Sequence, residues 1–337
     1  MKILRILALL IGCCFGIIKL SAQDIHFSQY QYSPLTLNPA LAGNFDGNWR
    51  FSNNYRRQWS TVGIPYQTIS AGFDKPFRTK KGYWGLGAMF VNDRSGSAFL
   101  SVNKLGISVA YHFQIADGHY LGVGVCGAYA VQSFSIDDLT FPSQFNDLTG
   151  YYDHTLPNNM NQWDENIDYP DISAGIQYRS NAGSKKPYGG IALYHVNSPK
   201  VSFIREDNRM NLRVAGHAGI NIMLNDKMYV EPRVLCMYQK KASDYVAGVE
   251  AGYFFPLKSI VEQAYVGASF RTAFTSYDAL ILSGGVGLYH FLIGISYDVN
   301  VSHLATVSNM RGAFELTIIY KDITKSLDQI TLPCDRY

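Results

Sequence analysis

Few residues in this 337-residue chain are spaced as chemistry would require. Gly122-Val123-Gly124-Val125-Cys126-Gly127 matches G-x-G-x-x-G, in which glycines let a strand-to-helix turn aim backbone amides at a pyrophosphate. Here the match lies inside an alternating extended run. Gly122, Gly124, Cys126, Ala128 and Ala130 share one face, which predicts a small-residue floor on which something packs closely, not a nucleotide site. Asp137, Asp138, Asp147, Asp153, Asp164, Glu165 and Asp168 offer one loop enough oxygen ligands for a calcium ion, without EF-hand spacing; solvated loop charge is the alternative. The same loop carries Tyr151, Tyr152 and Trp163, a candidate protein-contact surface. Nucleophilic catalysis needs a base in reach of the nucleophile. No G-x-S-x-G elbow occurs and the eight His are scattered, so a lipid hydrolase would have to assemble Ser and His across strands. Beyond residue 22 the cysteines are Cys126, Cys236 and Cys334, an odd set with no metal-ligand spacing; Cys334 is free to pair with a partner protein. No cofactor is expected.

The elements that carry these residues are extended. In 291–300, Phe291, Ile293, Ile295, Tyr297 and Val299 alternate with Gly294, Ser296, Asp298 and Asn300, a two-residue period. In 312–321, Phe314, Leu316, Ile318 and Tyr320 oppose Ala313, Glu315 and Thr317, with Ile319 the exception. Ten residues at about 3.3 Å each, tilted near ~40°, span about 25 Å, the height of the apolar band of a transmembrane barrel. Charged residues make up 16% of the chain, below the roughly 25% of soluble domains. After the first twenty residues no apolar run approaches the ~18 residues of a spanning helix. A net charge of +3 without a basic, aromatic-interleaved stripe gives no case for nucleic acid.

Lys2 and Arg5 ahead of an apolar run and Lys19-Leu20-Ser21-Ala22 read as a secretory signal over 1–22. An arm over 23–48, a barrel over 49–321 and a tail over 322–337 complete the expected organisation. Alternating runs fall at 49–59, 66–73, 84–91, 101–113, 120–133, 171–180, 188–196, 211–224, 228–239, 245–255, 264–273, 278–288, 291–300 and 312–321. These predict an all-β outer-membrane barrel of about fourteen antiparallel strands, the even number that single-chain bacterial barrels have. Connections after odd strands (134–170, 197–210, 301–311) are long and those after even strands (114–119, 225–227, 289–290) short; 240–244 and 274–277 are short outer exceptions and 74–83 a longer inner one. A charge facing lipid at mid-bilayer costs roughly 2–4 kcal/mol. Lys104, Arg179, Arg213, His217, Glu231, Arg233, Glu250, Arg271, Asp298 and Glu315 are therefore expected to face the lumen and fill it as a paired polar network. Tyr111, Phe113, Tyr178, Tyr253, Tyr289 and Tyr320 fall near strand ends, where an interfacial aromatic girdle belongs. A soluble sandwich is the rival, with strands nearer five or six residues.

The arm is rich in aromatics and turn formers: Phe27-Ser28-Gln29-Tyr30, Tyr32, Pro34, then Asn38-Pro39-Ala40-Leu41-Ala42-Gly43. Such a segment is expected either to plug the lumen or to pack under the periplasmic rim, as a seal or as a partner-binding arm. With Gln23 to Tyr30, Pro34, Asn38 to Gly43, Tyr55-Arg56-Arg57-Gln58-Trp59 and the closing Ser296-Tyr297-Asp298 and Phe314-Glu315-Leu316, the chain resembles the PorP/SprF family of type IX secretion outer-membrane proteins over 23–320. The resemblance implies a non-enzymatic barrel in outer-membrane lipid that aids export or surface anchoring of secreted proteins and adhesins, in some cases for gliding motility. Its implied partners are periplasmic secretion-machinery proteins, including a peptidoglycan-associated lipoprotein. On that reading the arm, with Arg57, Gln58 and Trp59, is the candidate partner-binding segment. A channel for small solutes is the alternative, and a lipid hydrolase a remoter one.

Overall fold

Residues 25–60, 63–95, 100–134, 140–153, 155–157, 164, 166–203, 207–240, 242–256, 259–273, 276–302 and 305–322 are described by a computed structural model. The strands are β1 (Trp49–Gln58), β2 (Tyr66–Thr79), β3 (Gly82–Ser95), β4 (Leu100–Ala116), β5 (His119–Ser133), β6 (Phe145–Asn146), β7 (Tyr151–Tyr152) and β8 (Asn166–Ser180). They continue with β9 (Lys185–Tyr194), β10 (Arg213–Met223), β11 (Met228–Gln239), β12 (Ala242–Phe254), β13 (Val261–Thr272), β14 (Tyr277–Leu288), β15 (Phe291–Asn300) and β16 (Arg311–Asp322). All except β6 and β7 form one closed antiparallel barrel, with β5 paired to β8 and β16 returning to β1 from Trp49↔Asp322 to Gln58↔Ala313. The small β6–β7 sheet belongs to the connection after β5.

Each of the fourteen alternating runs coincides with a barrel strand. The exception lies at 74–83: β2 continues to Thr79 and β3 begins at Gly82, so the expected loop is a tight turn of Lys80 and Lys81. Pro76 and the charges around it interrupt the apolar alternation there, while the backbone keeps pairing from Lys75↔Leu86 to Thr79↔Gly82. One end of the barrel accordingly carries tight turns and the other carries the large connections after β5, β9 and β15.

Side-chain parity decides what each face meets. Leu105, Ile107, Val125, Ile176, Val266 and Ile295, all in mid-strand, point outward, and half or more of each is exposed. A belt of that kind suits hydrocarbon and not water. Rings mark its short-turn edge: Trp49 stacks on Tyr320 at 4.7 Å, Tyr111 meets Trp84 and Phe113 at 4.8 and 4.6 Å, and Tyr253 meets Phe255 at 5.0 Å. Inward positions are buried and largely polar, among them Asp74, His112, Asp171, Arg233, Arg271, Asp298 and Glu315.

Fourteen strands about 4.8 Å apart and tilted near 40° give a wall about 28 Å across, wider than the eight-stranded barrels that side chains alone can fill. The arm supplies the missing volume. It descends through the lumen as three short helical turns, Tyr30–Tyr32, Pro34–Leu37 and Pro39–Leu41. Pro34 and Pro39 open two of them, where a missing N–H costs nothing, and Asn38 Oδ1 accepts from Ala40 N at 2.9 Å as a cap.

Candidate functional site

Ser28 is the hub of the most heavily charged contact between arm and wall. Its Oγ donates to Asp298 Oδ2 (2.8 Å) and accepts from Arg56 Nη1 (2.7 Å) and Arg271 Nη1 (3.0 Å), using its one proton and both lone pairs. The Ser28 and Gln29 backbone N–H groups donate to the two oxygens of Glu315 at 2.6 and 2.9 Å. Arg56 also pairs with Glu315, and with Asp298 at 3.1 Å; Arg271 pairs with Asp278, and with Asp298 at 3.0 Å. Asp298 and Glu315 are almost wholly buried, so their charge is tolerated only because several donors converge on them.

Further down, Tyr32 Oη donates to the Glu250 carboxylate at 3.2 Å, beside Tyr229 Oη at 3.0 Å and Arg233 Nη1 at 2.9 Å. Arg233 lies 3.8 Å from Glu231, which accepts from Tyr188 Oη (2.7 Å) and Asn221 Nδ2 (3.0 Å). Asn38 Nδ2 donates to the Ile176 carbonyl at 3.0 Å and sits 3.4 Å from His217 Nε2. The last part of the arm is tied by Gly43 N donating to Asp74 Oδ2 (2.7 Å) and by His112 Nε2 donating to the Ala42 carbonyl (2.9 Å). Arg50 grips the same Asp74 with two bonds, at 2.9 and 2.7 Å.

Wall glycines make the room. A Cβ on Gly85 would lie 1.9 Å from the Ala42 carbonyl oxygen, one on Gly175 2.0 Å from Asn38 Oδ1, and one on Gly124 2.7 Å from Ala40. The small-residue face of β5 is thus part of the floor under Pro39–Leu41, and the G-x-G-x-x-G match continues as strand to Ser133. Apolar contacts fill what remains: Leu35 and Ala42 pack with Met89, Ala110 and Cys126, while Tyr30 and Leu37 pack with Tyr194 and Leu235.

With that geometry in view, comparison with known proteins is informative. The family model described as "Type IX secretion system membrane protein PorP/SprF" matches residues 19–320. The chain belongs to the PorP/SprF family. Its fold is shared with solved barrels. The Ralstonia pickettii toluene transporter TbuX superposes with a TM-score of 0.51 at 12% identity, over 86% of this chain and 92% of that one. A Pseudomonas aeruginosa FadL homologue superposes with a TM-score of 0.51 at 11% identity, over 85% and 93%. At such identity the likeness establishes architecture alone. No curated protein sequence matches.

In this PorP/SprF chain the arm residues Phe27, Ser28, Gln29, Tyr30, Asn38 and Pro39 are buried inside the barrel, Gly43 sits there with φ +69° and its amide on Asp74, and Tyr32 is half-buried. Arg57, Gln58 and Trp59 require a correction: they belong to the long-loop end of β1 and not to the arm. Strand parity turns Arg57 outward, Gln58 accepts from Arg56 at 3.1 Å, and Trp59 packs edge-on against Tyr66 at 5.2 Å. Among the lumen residues, Arg213, Arg233, Glu231, Glu250, Arg271, Asp298, Glu315 and His217 meet the arm or one another as described, with Arg213 Nη1 reaching the Ile25 carbonyl at 3.4 Å. Arg179 lies 3.8 Å from Asp46, and Lys104 pairs with Asp171, which also accepts from His195 Nδ1 at 2.9 Å. Tyr151 and Tyr152 stand exposed on β7, and Trp163 lies outside the described residues. So do Asp137, Asp138 and Glu165; among the described residues no group of three His, Cys, Asp or Glu converges as metal ligands would. Sequence reasoning expects His112 to face inward but overlooked Arg50, Asp74 and Asp171, and met Arg56 only as part of the Tyr55 to Trp59 motif. Arg50 and Arg56 carried a usable signal, because with Ser52 and Asn54 they occupy alternate positions on one face of β1.

Proposed function

We propose that this barrel sits in the bacterial outer membrane, exported by its first 22 residues, with the large connections outside the cell and the short turns in the periplasm. There it serves type IX secretion as a non-enzymatic, non-conducting component. Secreted surface proteins or adhesins engage it at the outer connections, and periplasmic machinery, including a peptidoglycan-associated lipoprotein, engages the inner rim. The observation that carries this reading is the occupied lumen. An arm bonded to Glu315 and Asp298 near one end and to Asp74 near the other leaves the two rims as the contact surfaces. The exposed Leu148, Tyr151 and Tyr152 of the β6–β7 hairpin offer the apolar and aromatic side chains that protein contacts favour.

Removing the gene should abolish surface display of one secreted adhesin, and the intact gene should restore it. A copy with Leu148, Tyr151 and Tyr152 changed to Ser should insert normally and restore display poorly. Unchanged display in the deletion strain would overturn the secretion role; full rescue by the loop variant would relocate the contact.

A further inference from the structure

The direction in which the arm runs is fixed by its partners. Ile25 lies by Arg213, the first residue of β10, and His26 Nε2 lies 3.3 Å from Asp244 Oδ2, close to the start of β12; both strands begin at the long-loop end. Ser28 follows, on Asp298 and Glu315 in the long-loop halves of β15 and β16. Leu35 then reaches the Gly72 and Gly87 positions, Ala42 reaches Gly85, and Gly43 reaches Asp74. Asn48 ends the descent by donating to Asp322 Oδ2 at 3.2 Å, at the short-turn end where β1 begins. The contacts begin at one mouth and end at the other, although the Thr36 and Leu37 carbonyls reach back to accept from Tyr194 Oη at the long-loop end of β9, and β1 climbs back through the wall.

We propose that the arm threads the barrel from its long-loop mouth downward, so that Ile25 and His26 stand at that mouth and, in the membrane, on the side of the cell exterior. This rests on the orientation given under Proposed function. The start of the arm is thereby withdrawn from periplasmic partners and presented beneath the outer connections. An arm rising from the periplasm would instead place its first residues near the short turns and could not put Ile25 and His26 beside Arg213 and Asp244. The seating resists withdrawal as well. Ala40, Ala42 and Asn38 lie against Gly124, Gly85 and Gly175 at separations that leave no space even for a methyl group, and sliding the arm would carry bulkier side chains over those glycines.

The test places one cysteine at a time in full-length protein lacking Cys126, Cys236 and Cys334: I25C, L148C in the β6–β7 hairpin, or K80C in the β2–β3 turn. Intact cells are treated with a membrane-impermeant biotin maleimide, before or after outer-membrane permeabilisation. I25C and L148C should label fully in intact cells with no rise on permeabilisation, and K80C should rise from background only afterwards. I25C following the K80C pattern, or staying unlabelled in both, would overturn the threading. L148C and K80C exchanging patterns would overturn the orientation, and with it the external start. If I25C fails to give a heat-modifiable band, an epitope inserted directly before Ile25 is read with antibody under the same two conditions and the same outcomes. Adhesin display, scored separately, reports the secretion role independently of these labels.

Discussion

Ser28 has no charge, yet two buried carboxylates and two buried guanidinium groups close around it. Removing its hydroxyl deletes three bonds to charged groups while Arg56 and Arg271 keep their carboxylate partners, so S28A should cost about 1–3 kcal/mol. R56L instead strands Glu315 and Asp298 with a donor missing, and about 3–5 kcal/mol is expected for breaking a buried pair. Urea unfolding of the detergent-solubilised barrel, followed by Trp fluorescence, should give R56L the larger loss; equal losses would mean that the hydroxyl, not the ion pairs, organises the cluster. The glycines allow a contrast free of charge. A methyl on Gly85 meets backbone oxygen of the arm at 1.9 Å, while one on Gly127 meets nothing within 4 Å. G85A should therefore lose about 1–3 kcal/mol by overpacking and loosen the arm, and G127A should match the parent protein in the same assay.

Among the elements, strands were more legible than the plug. Period-two alternation located all fourteen barrel strands because lipid on one side and a polar interior on the other impose opposite chemistry on successive residues, and Ile319, the inward exception in β16, is buried in the lumen. At 74–83 the alternation fails because a strand end in the headgroup region meets lipid and water together, so Lys75, Arg78 and Thr79 are acceptable where Val would be elsewhere. The arm gave its composition but not its path. Three single turns have no period to read, and Ser28, Asn38 and Gly43 show their roles only when residues up to 287 positions away are folded around them. Arg57, Gln58 and Trp59 were misassigned for a related reason: a sequence motif groups neighbours in order, whereas a strand sends Arg56 and Arg57 to opposite faces. Deleting residues 25–43 should leave a barrel that still inserts and remains heat-modifiable, since its fourteen-strand ring closes through β1 and β16 without the arm. Its band shift should come at lower temperature, because Leu35, Leu37 and Phe27 alone each forfeit about 1.5–3 kcal/mol of burial. Failure to insert at all would make the arm part of assembly as well as of the finished lumen.

At the scale of the whole molecule the question is whether a ring this wide conducts. A wall about 28 Å across would, if empty, hold a water-filled channel, as barrels of somewhat higher strand number do. Here the arm crosses the full height and its anchors are distributed: the Ser28 cluster, Tyr32 on Glu250, Asn38 on the Ile176 carbonyl and Gly43 on Asp74. Opening the lumen requires breaking several of these together, including contacts to buried carboxylates that would then need water. A resting protein that opens often enough to pass solutes is hard to reconcile with that set, although the same barrel without its plug has every feature of a pore. In planar bilayers the intact protein should show no steady current, the chain lacking 25–43 should show open channels of constant size, and G85A should flicker between the two as the loosened arm leaves and returns. Steady current from the intact protein would favour the solute-channel reading. A closed arm-deleted barrel would show that wall side chains such as Arg233, Arg271 and Glu250 collapse across the gap, placing the seal in the wall and leaving the arm to hold shape.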